Sequence, residues 1–342
     1  MSDKLEVYGL DQATMTSVVN KLENKGGKKI GLSYLPFYDS ATEELTWDIV
    51  KAVSPMADFR AVDGEAKLVG RQAFSRAYAD VVSLSQKERF NASDLRKIRE
   101  AGMLPIVDGQ DSLIAQMGAA AKKKVRDALQ RSKDAIDNRL EWLQINALLG
   151  KITSPSTSKI KFSVDYGLNP GQSGVVPSVL WSVTATATPL DDILGWQQDV
   201  LENTGILMDT IIMSRKTLIY ALNNTVLRNM MQYTNPMMSV SKAQTVIEEN
   251  TGIKIELYDT TYTSADGLTI TRFLAENTVI MLSSTVELGD TARVMHPLAG
   301  YKPGYYSWTD EKKDPFGIEA GVGLDAFPRI IHPEALFNAQ VF

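Results

Sequence analysis

The sequence predicts an α+β chain built on one long helix, and three observations carry that reading. The first is a helix-period run from about Ser112 to Leu149. Its apolar or small positions, Leu113, Met117, Ala121, Val125, Leu129, Ser132, Ile136, Leu140, Leu143 and Ala147, step by three or four residues and share one face. The second is an extended, charge-rich stretch before it. The third is a run of alternating helix and strand patterns after it. At 1.5 Å per residue the helix is about 57 Å long. A stripe this narrow predicts a helix along the edge of something thin, with two sides free. That is the build of a structural slab rather than of an enzyme.

Composition bounds the rest. The chain has 342 residues, enough for one large or two modest domains. No apolar run approaches the ~20 residues of a membrane span. The N-terminal stretch Met1 to Leu10 lacks the basic-then-apolar pattern of a secretory signal. There are no cysteines, which excludes disulfides and thiolate metal sites and suits a reducing compartment. A net charge of −5 argues against a chain whose main task is wrapping nucleic acid.

Each element can be placed in order. Residues 1–43 read as an arm: a helix from Asp11 to Leu22, a break at Lys25–Lys29, then extended text from Ile30 to Pro36. Residues 44–90 read as a long polar hairpin, with turn signals at Asp63-Gly64 and Gly70. Its charges, Arg60, Asp63, Glu65, Lys67, Arg71, Arg76 and Asp80, leave few positions for a core, so it needs a neighbouring surface to rest on. A short helix follows within Phe90–Met103, started by Ser93. The long helix is capped by Asp111 and stopped by Gly150. Lys159–Val164 and Leu180–Thr186 alternate like strands, around a loop rich in Gly and Pro. Helices are expected at Asp191–Thr204, from Ser214 through Ala221, and from Ser239 or Ser241 through Asn250. Leu207–Met213, Ile253–Tyr258 and Thr278–Leu282 read as strands, Asp266-Gly267 as a hairpin turn, and the tail to Phe342 as a strand tucked into a sheet.

Little of this carries chemistry. His296 and His332 each precede proline, which reads as loop geometry. There is no His-Glu-x-x-His, phosphate loop or nucleophile elbow. Asp191-Asp192 suits a helix start, where acids favour the positive dipole end. Lys122, Lys123, Lys124, Arg126 and Arg131 make the first half of the long helix basic. They form either a solvated face, with pairs such as Lys133–Asp137, or an edge that meets a neighbouring subunit or nucleic acid. Met230, Met231, Met237 and Met238 suit adaptable core or an interface loop.

The order of the units resembles the major capsid protein of tailed phages, in the Hong Kong 97 type fold. Several stretches bring it nearer to the branch similar to the phage lambda major head protein (capsid protein E). They are Ala52–Asp58, Arg139–Leu143 running into Leu148–Lys151, Val164–Gly167, the Ile193–Trp196 helix, Thr278–Leu282, and Phe327-Pro328 through Pro333–Ala335. The resemblance implies an N-terminal arm (1–43), an extended loop overlapping a neighbour (44–90), a peripheral domain with the spine helix (91–189 and 326–342) and an axial domain (190–325). It implies hexamers and pentamers that enclose double-stranded DNA without sequence specificity. It also implies a portal, a decoration protein, and a separate scaffolding protein, since the chain begins too near its arm to carry one. The chain would reside in the virion, and in the host cytoplasm during assembly, with no membrane partner. The loop charges Arg60, Asp63, Glu65, Lys67, Arg71 and Arg76 would meet a neighbour. Lys67 carries nothing that marks it as a cross-linking residue. No catalytic residue, cofactor or metal is expected. The alternatives are an encapsulin-like compartment on the same fold and an α/β enzyme with an appended helical hairpin.

Overall fold

The computed structural model describes residues 12–23, 27–42, 44–49, 75–91, 110–156, 158, 160–234, 240–264, 267–314 and 316–342. In chain order it begins with α1 (Gln12–Lys21), α2 (Gly31–Tyr34), β1 (Phe37–Ser40), β2 (Glu44–Ile49), β3 (Ser75–Asp80) and β4 (Val82–Asn91). The spine helix α3 (Gln110–Leu148), β5 (Lys151–Thr153) and β6 (Ser163–Asp165) follow. Next come α4 (Pro189–Thr204), β7 (Thr210–Met213), α5 (Arg215–Asn223), α6 (Thr225–Thr234), α7 (Val240–Thr251), β8 (Lys254–Leu257), β9 (Thr261–Thr263), β10 (Ile270–Arg272) and β11 (Thr278–Leu282). The last strands are β12 (Gly289–His296), β13 (Lys302–Pro303), β14 (Tyr306–Lys313), β15 (Phe316–Ile330) and β16 (Leu336–Gln340).

Two sheets organise these elements. A six-stranded sheet runs β1-β12-β15-β14, with β4 also on β15 and β13 on β12. The spine helix packs across its β15 and β4 strands. A four-stranded sheet runs β16-β11-β7-β8. Its central strands are buried on both faces, and the period of two sends alternate residues to different cores. Ile212, Ile280 and Leu282 face the core shared with the spine helix. Ile211, Met213, Val279 and Met281 face a second core under α4, α5 and α7. Strands β7 and β8 are parallel, and the crossover they require is supplied by α5, α6 and α7.

Local chemistry sets the element ends. Ser214 caps α5 by accepting from the Thr217 N–H at 3.1 Å. Gly150 ends the spine at φ +88, where an L side chain is strained. The β9–β10 hairpin turns at Gly267, with Ser264 N–H donating to the Thr269 carbonyl at 2.8 Å. The C-terminal strand is tucked into a sheet, as expected: β16 pairs antiparallel with β11.

Other expectations need correction. The stretch Ile30–Pro36 is not extended throughout, because residues 31–34 form a helical turn started by a distant carboxylate. Leu180–Thr186 forms no strand. Of its apolar residues only Trp181 is buried, while Leu180, Val183 and Ala185 are exposed, and its backbone bonds go to local turns and to the C-terminal segment. Among the described residues of Lys159–Val164, only Ser163 and Val164 lie in a strand, and Leu207–Met213 is strand only from Thr210. The spine is not a narrow stripe in its second half. Gln130, Ser132, Lys133, Asp137, Glu141 and Gln144 are buried together with the apolar face. The arm covers that polar side. Strand β4 shares the large sheet with the strands of 289–330, and β16 completes the small one. The short helix expected after Phe90, apart from Phe90 and Asn91 in β4, lies outside the described residues.

Candidate functional site

A dense set of long-range polar contacts lies where the arm meets the spine. Helix α1 seats Met15 and Val19 in the core at zero exposure, a burial of about 2 kcal/mol each. Its end is fixed from the spine: Gln130 Nε2 donates to the Glu23 carbonyl at 2.9 Å, and Lys133 Nζ donates to the Leu22 carbonyl. Lys133 also stands over the Tyr305 ring, and the Tyr305 hydroxyl donates to Asp137. The sequence pairing of Lys133 with Asp137 is thus replaced by contacts to the arm and to Tyr305.

One turn further along, Glu141 joins three segments. Its carboxylate accepts the Ile30 N–H at 2.9 Å, the Gly31 N–H at 3.1 Å and the Tyr258 hydroxyl at 2.7 Å. A carboxylate there meets the unpaired N–H groups that begin α2. Gly31 is required by close approach: a Cβ would lie 2.4 Å from Gln144 Oε1. Gln144 Nε2 donates to Thr291 Oγ1 at 2.8 Å, and Thr291 Oγ1 donates to the Leu35 carbonyl at 2.9 Å. Strand β1 then adds to β12 in parallel, with Phe37 opposite Thr291.

Electrostatics on this seam are set by burial. Burial lowers the Lys29 amine, against the nearby Asp137, Glu141 and Asp134 carboxylates that raise it. Burial raises the Asp137 carboxyl, against the Tyr305 hydrogen bond and Lys29. At Glu256, burial works upward, but the hydrogen bonds from Lys28 and Tyr34 prevail and its carboxyl lies below the ordinary value. The arm is therefore held by buried or half-buried polar groups as much as by apolar packing.

The residues singled out in the sequence fall elsewhere. Arg60, Asp63, Glu65, Lys67 and Arg71 lie outside the described residues. Arg76 is on β3, opposite Asp48 of β2. Lys122 is on the spine helix, and Lys123, Lys124 and Arg126 are exposed there. Arg131 differs from them, because its guanidinium reaches Glu88 of β4 at 2.7 Å. Met237 and Met238 lie outside the described residues, and Met230 and Met231 are placed only as backbone of α6.

The remaining candidates have structural partners. His296 Nδ1 accepts the Leu298 N–H at 3.1 Å, its Nε2 lies 4.0 Å from Asp325, and its ring stacks on Tyr306 at 3.8 Å. Asp192, in the first turn of α4, accepts the Trp181 indole N–H at 2.8 Å. Among the described residues, no group of three or more His, Cys, Asp or Glu is placed to hold a metal ion. No helix of the described residues is long and apolar enough to cross a membrane.

The seam escaped the sequence reading. Its one signal was the set of polar residues at Gln130, Lys133, Asp137, Glu141 and Gln144, which step by three or four along a helix and mark a second buried face.

Three comparisons bear on this architecture. The sequence model for the phage major capsid protein E family matches residues 11–341. A protein of an E. coli CFT073 prophage, assigned as its capsid protein, is 14% identical, with 99% of this chain and 98% of that one covered at a TM-score of 0.56. A phage-related protein of Bordetella bronchiseptica RB50 is 12% identical, with 95% of each chain covered at 0.52. At these identities the two structures establish a shared fold and nothing finer. Comparison with curated proteins gives no match.

Proposed function

From the premise that this chain belongs to the phage major capsid protein E family and has the Hong Kong 97 type fold, we propose how it builds its shell. It is a viral structural protein of the bacteriophage head. In our reading, copies assemble as hexamers and pentamers into an icosahedral shell around double-stranded DNA, bound without sequence preference. A scaffolding protein, a portal and a decoration protein would act with it. Assembly would take place in the host cytoplasm and leave the chain in the virion. The observation that carries this is the family match over nearly the whole chain, from the arm to the last strand.

The parts then take roles. The extended loop (44–90) overlaps a neighbouring copy, and the arm (1–43) lies in its described part along the spine helix of its own subunit. Residues 91–189 with 326–342 form the periphery, and 190–325 line the local symmetry axes. Arg60, Asp63, Glu65, Lys67, Arg71 and Arg76 would serve the loop's contacts. Lys122, Lys123, Lys124 and Arg126 would soften repulsion from packed phosphate or meet a neighbour. Arg131 is engaged by Glu88 within the subunit and contributes less. The family role is structural, and no catalytic step is assigned to any residue.

The test is the content of shells isolated from infected or induced cells. Nuclease-protected double-stranded DNA of uniform length supports the reading. Shells free of DNA and filled with one co-purified enzyme would favour the encapsulin-like alternative.

A further inference from the structure

The chain is 23% charged, yet residues 166–190, from Tyr166 to Leu190, contain no Asp, Glu, Lys, Arg or His. At the overall frequency about six of these positions would carry charge. Burial does not account for the gap. Ser173, Val176, Ser178, Leu180, Ser182 and Val183 are all exposed. Val176 is 58% exposed, Leu180 39% and Val183 49%. Only one isolated bridge, Val175 to Ala339, interrupts the irregular backbone before α4.

The segment is nevertheless firmly fixed. Gln340 N–H donates to the Val175 carbonyl at 2.8 Å, and Trp181 N–H donates to the Val341 carbonyl at 2.7 Å. The Trp181 ring is fully buried, stacks on Trp196 at 6.0 Å, and gives its indole N–H to Asp192. Thr225 N–H donates to the Thr184 carbonyl at 3.0 Å, which sets the start of α6, with Val226 48% exposed, against the same segment. The result is a neutral ledge: pinned from behind, with valines and a leucine facing out. Depletion of charge with retention of apolar side chains marks the centre of a protein interface.

We propose that this ledge, Ser173 to Thr186 with Val226, is a contact surface for a second copy of this chain. The proposal rests on the shell reading above. Copies of net charge −5 repel one another, and a segment without charge is where two of them approach at least cost. The ledge's rigidity also means that little ordering entropy is lost on contact.

The chain's lack of cysteine gives a direct test. Ser182→Cys is labelled with a maleimide in dissociated subunits and in shells assembled from the purified chain alone. The proposal expects at least a tenfold slower reaction in shells. Equal rates would overturn it, as would protection that appears only when a second protein co-assembles. In parallel, Val176→Asp with Val183→Asp should fold with an unchanged melting profile and lose assembly, whereas Val183→Thr should keep it. Normal assembly of the double aspartate variant would overturn the proposal. If the parent chain never forms shells, with or without a scaffolding protein, the shell reading fails first. Loss confined to the aspartate variant concerns the ledge.

Discussion

The Glu141 carboxylate accepts the Gly31 backbone N–H at 3.1 Å, so the turn of helix in the arm starts on a side chain of the spine. The same group takes the Ile30 N–H and the Tyr258 hydroxyl. Replacing it by an apolar residue leaves three buried donors without a partner. Each such loss costs about 1–3 kcal/mol. Glu141→Leu is therefore expected to destabilise the chain by about 3–5 kcal/mol. Hydrogen exchange at residues 28–35 should accelerate before the rest of the fold opens. Uniform protection of that stretch in the variant would show that the arm is held by its apolar contacts alone.

Strands β14 and β15 contain a second dependence of this kind. Trp308 and Tyr306 lie opposite Gly321 and Gly323. A Cβ on Gly321 would fall 2.3 Å from the Trp308 ring, and one on Gly323 would fall 2.4 Å from the Tyr306 ring. The glycines are bare so that the rings can lie over the backbone. Gly321→Ala should cost about 1–3 kcal/mol through overpacking. Combining it with Trp308→Ala should cost less than the sum of the two changes. A strictly additive double-mutant cycle would contradict the contact.

A pH dependence follows from Glu256. Its folded-state carboxyl lies below the ordinary value of 4.5, despite its burial, because Lys28 and Tyr34 donate to it. A lowered carboxylate pKa contributes stability that is fully present above the unfolded value and is lost as pH falls through the folded one. Glu256→Gln should thus melt below the parent at pH 7. The gap should close as pH drops below about 4.5. A gap that stays constant with pH would assign the loss to packing instead.

The basic half of the spine separates two kinds of charge. Arg131 is paired with Glu88, both partly exposed, and Arg131→Ala should change stability by less than about 1 kcal/mol. Lys123 and Lys124 are exposed on the same helix. Lys123→Glu with Lys124→Glu should leave the melting profile intact and make DNA retention salt-sensitive. Retention equal to the parent across a salt series would mark these lysines as a solvated face.

Much of the fold could be read from pattern. The spine helix, the capped helix after Ser214, the strands at Ile211 and Ile280 and the terminal strand all announced themselves through periodicity and caps. What stayed hidden depended on distant partners. Gly31–Tyr34 is helical because Glu141, far along the chain, satisfies its first N–H groups. Leu180–Val183 alternates like a strand, but Trp181 turns inward against Trp196 and the C-terminus, and no neighbouring strand is there to pair with it. The candidate residues on the extended loop were chosen for their charge. Charge says that a segment lacks a core of its own, not which surface receives it. The arm–spine seam was missed because polar residues at helical spacing look solvated until a second segment lies on them.

Sedimentation velocity of the purified chain, with electron microscopy of the fastest species, tests the central claim most directly. Expected are capsomers and closed shells of uniform diameter, with residues 50–85 of the extended loop protected from protease only in the assembled state. A compact monomer under every salt and scaffold condition, with that loop already resistant, would contradict it.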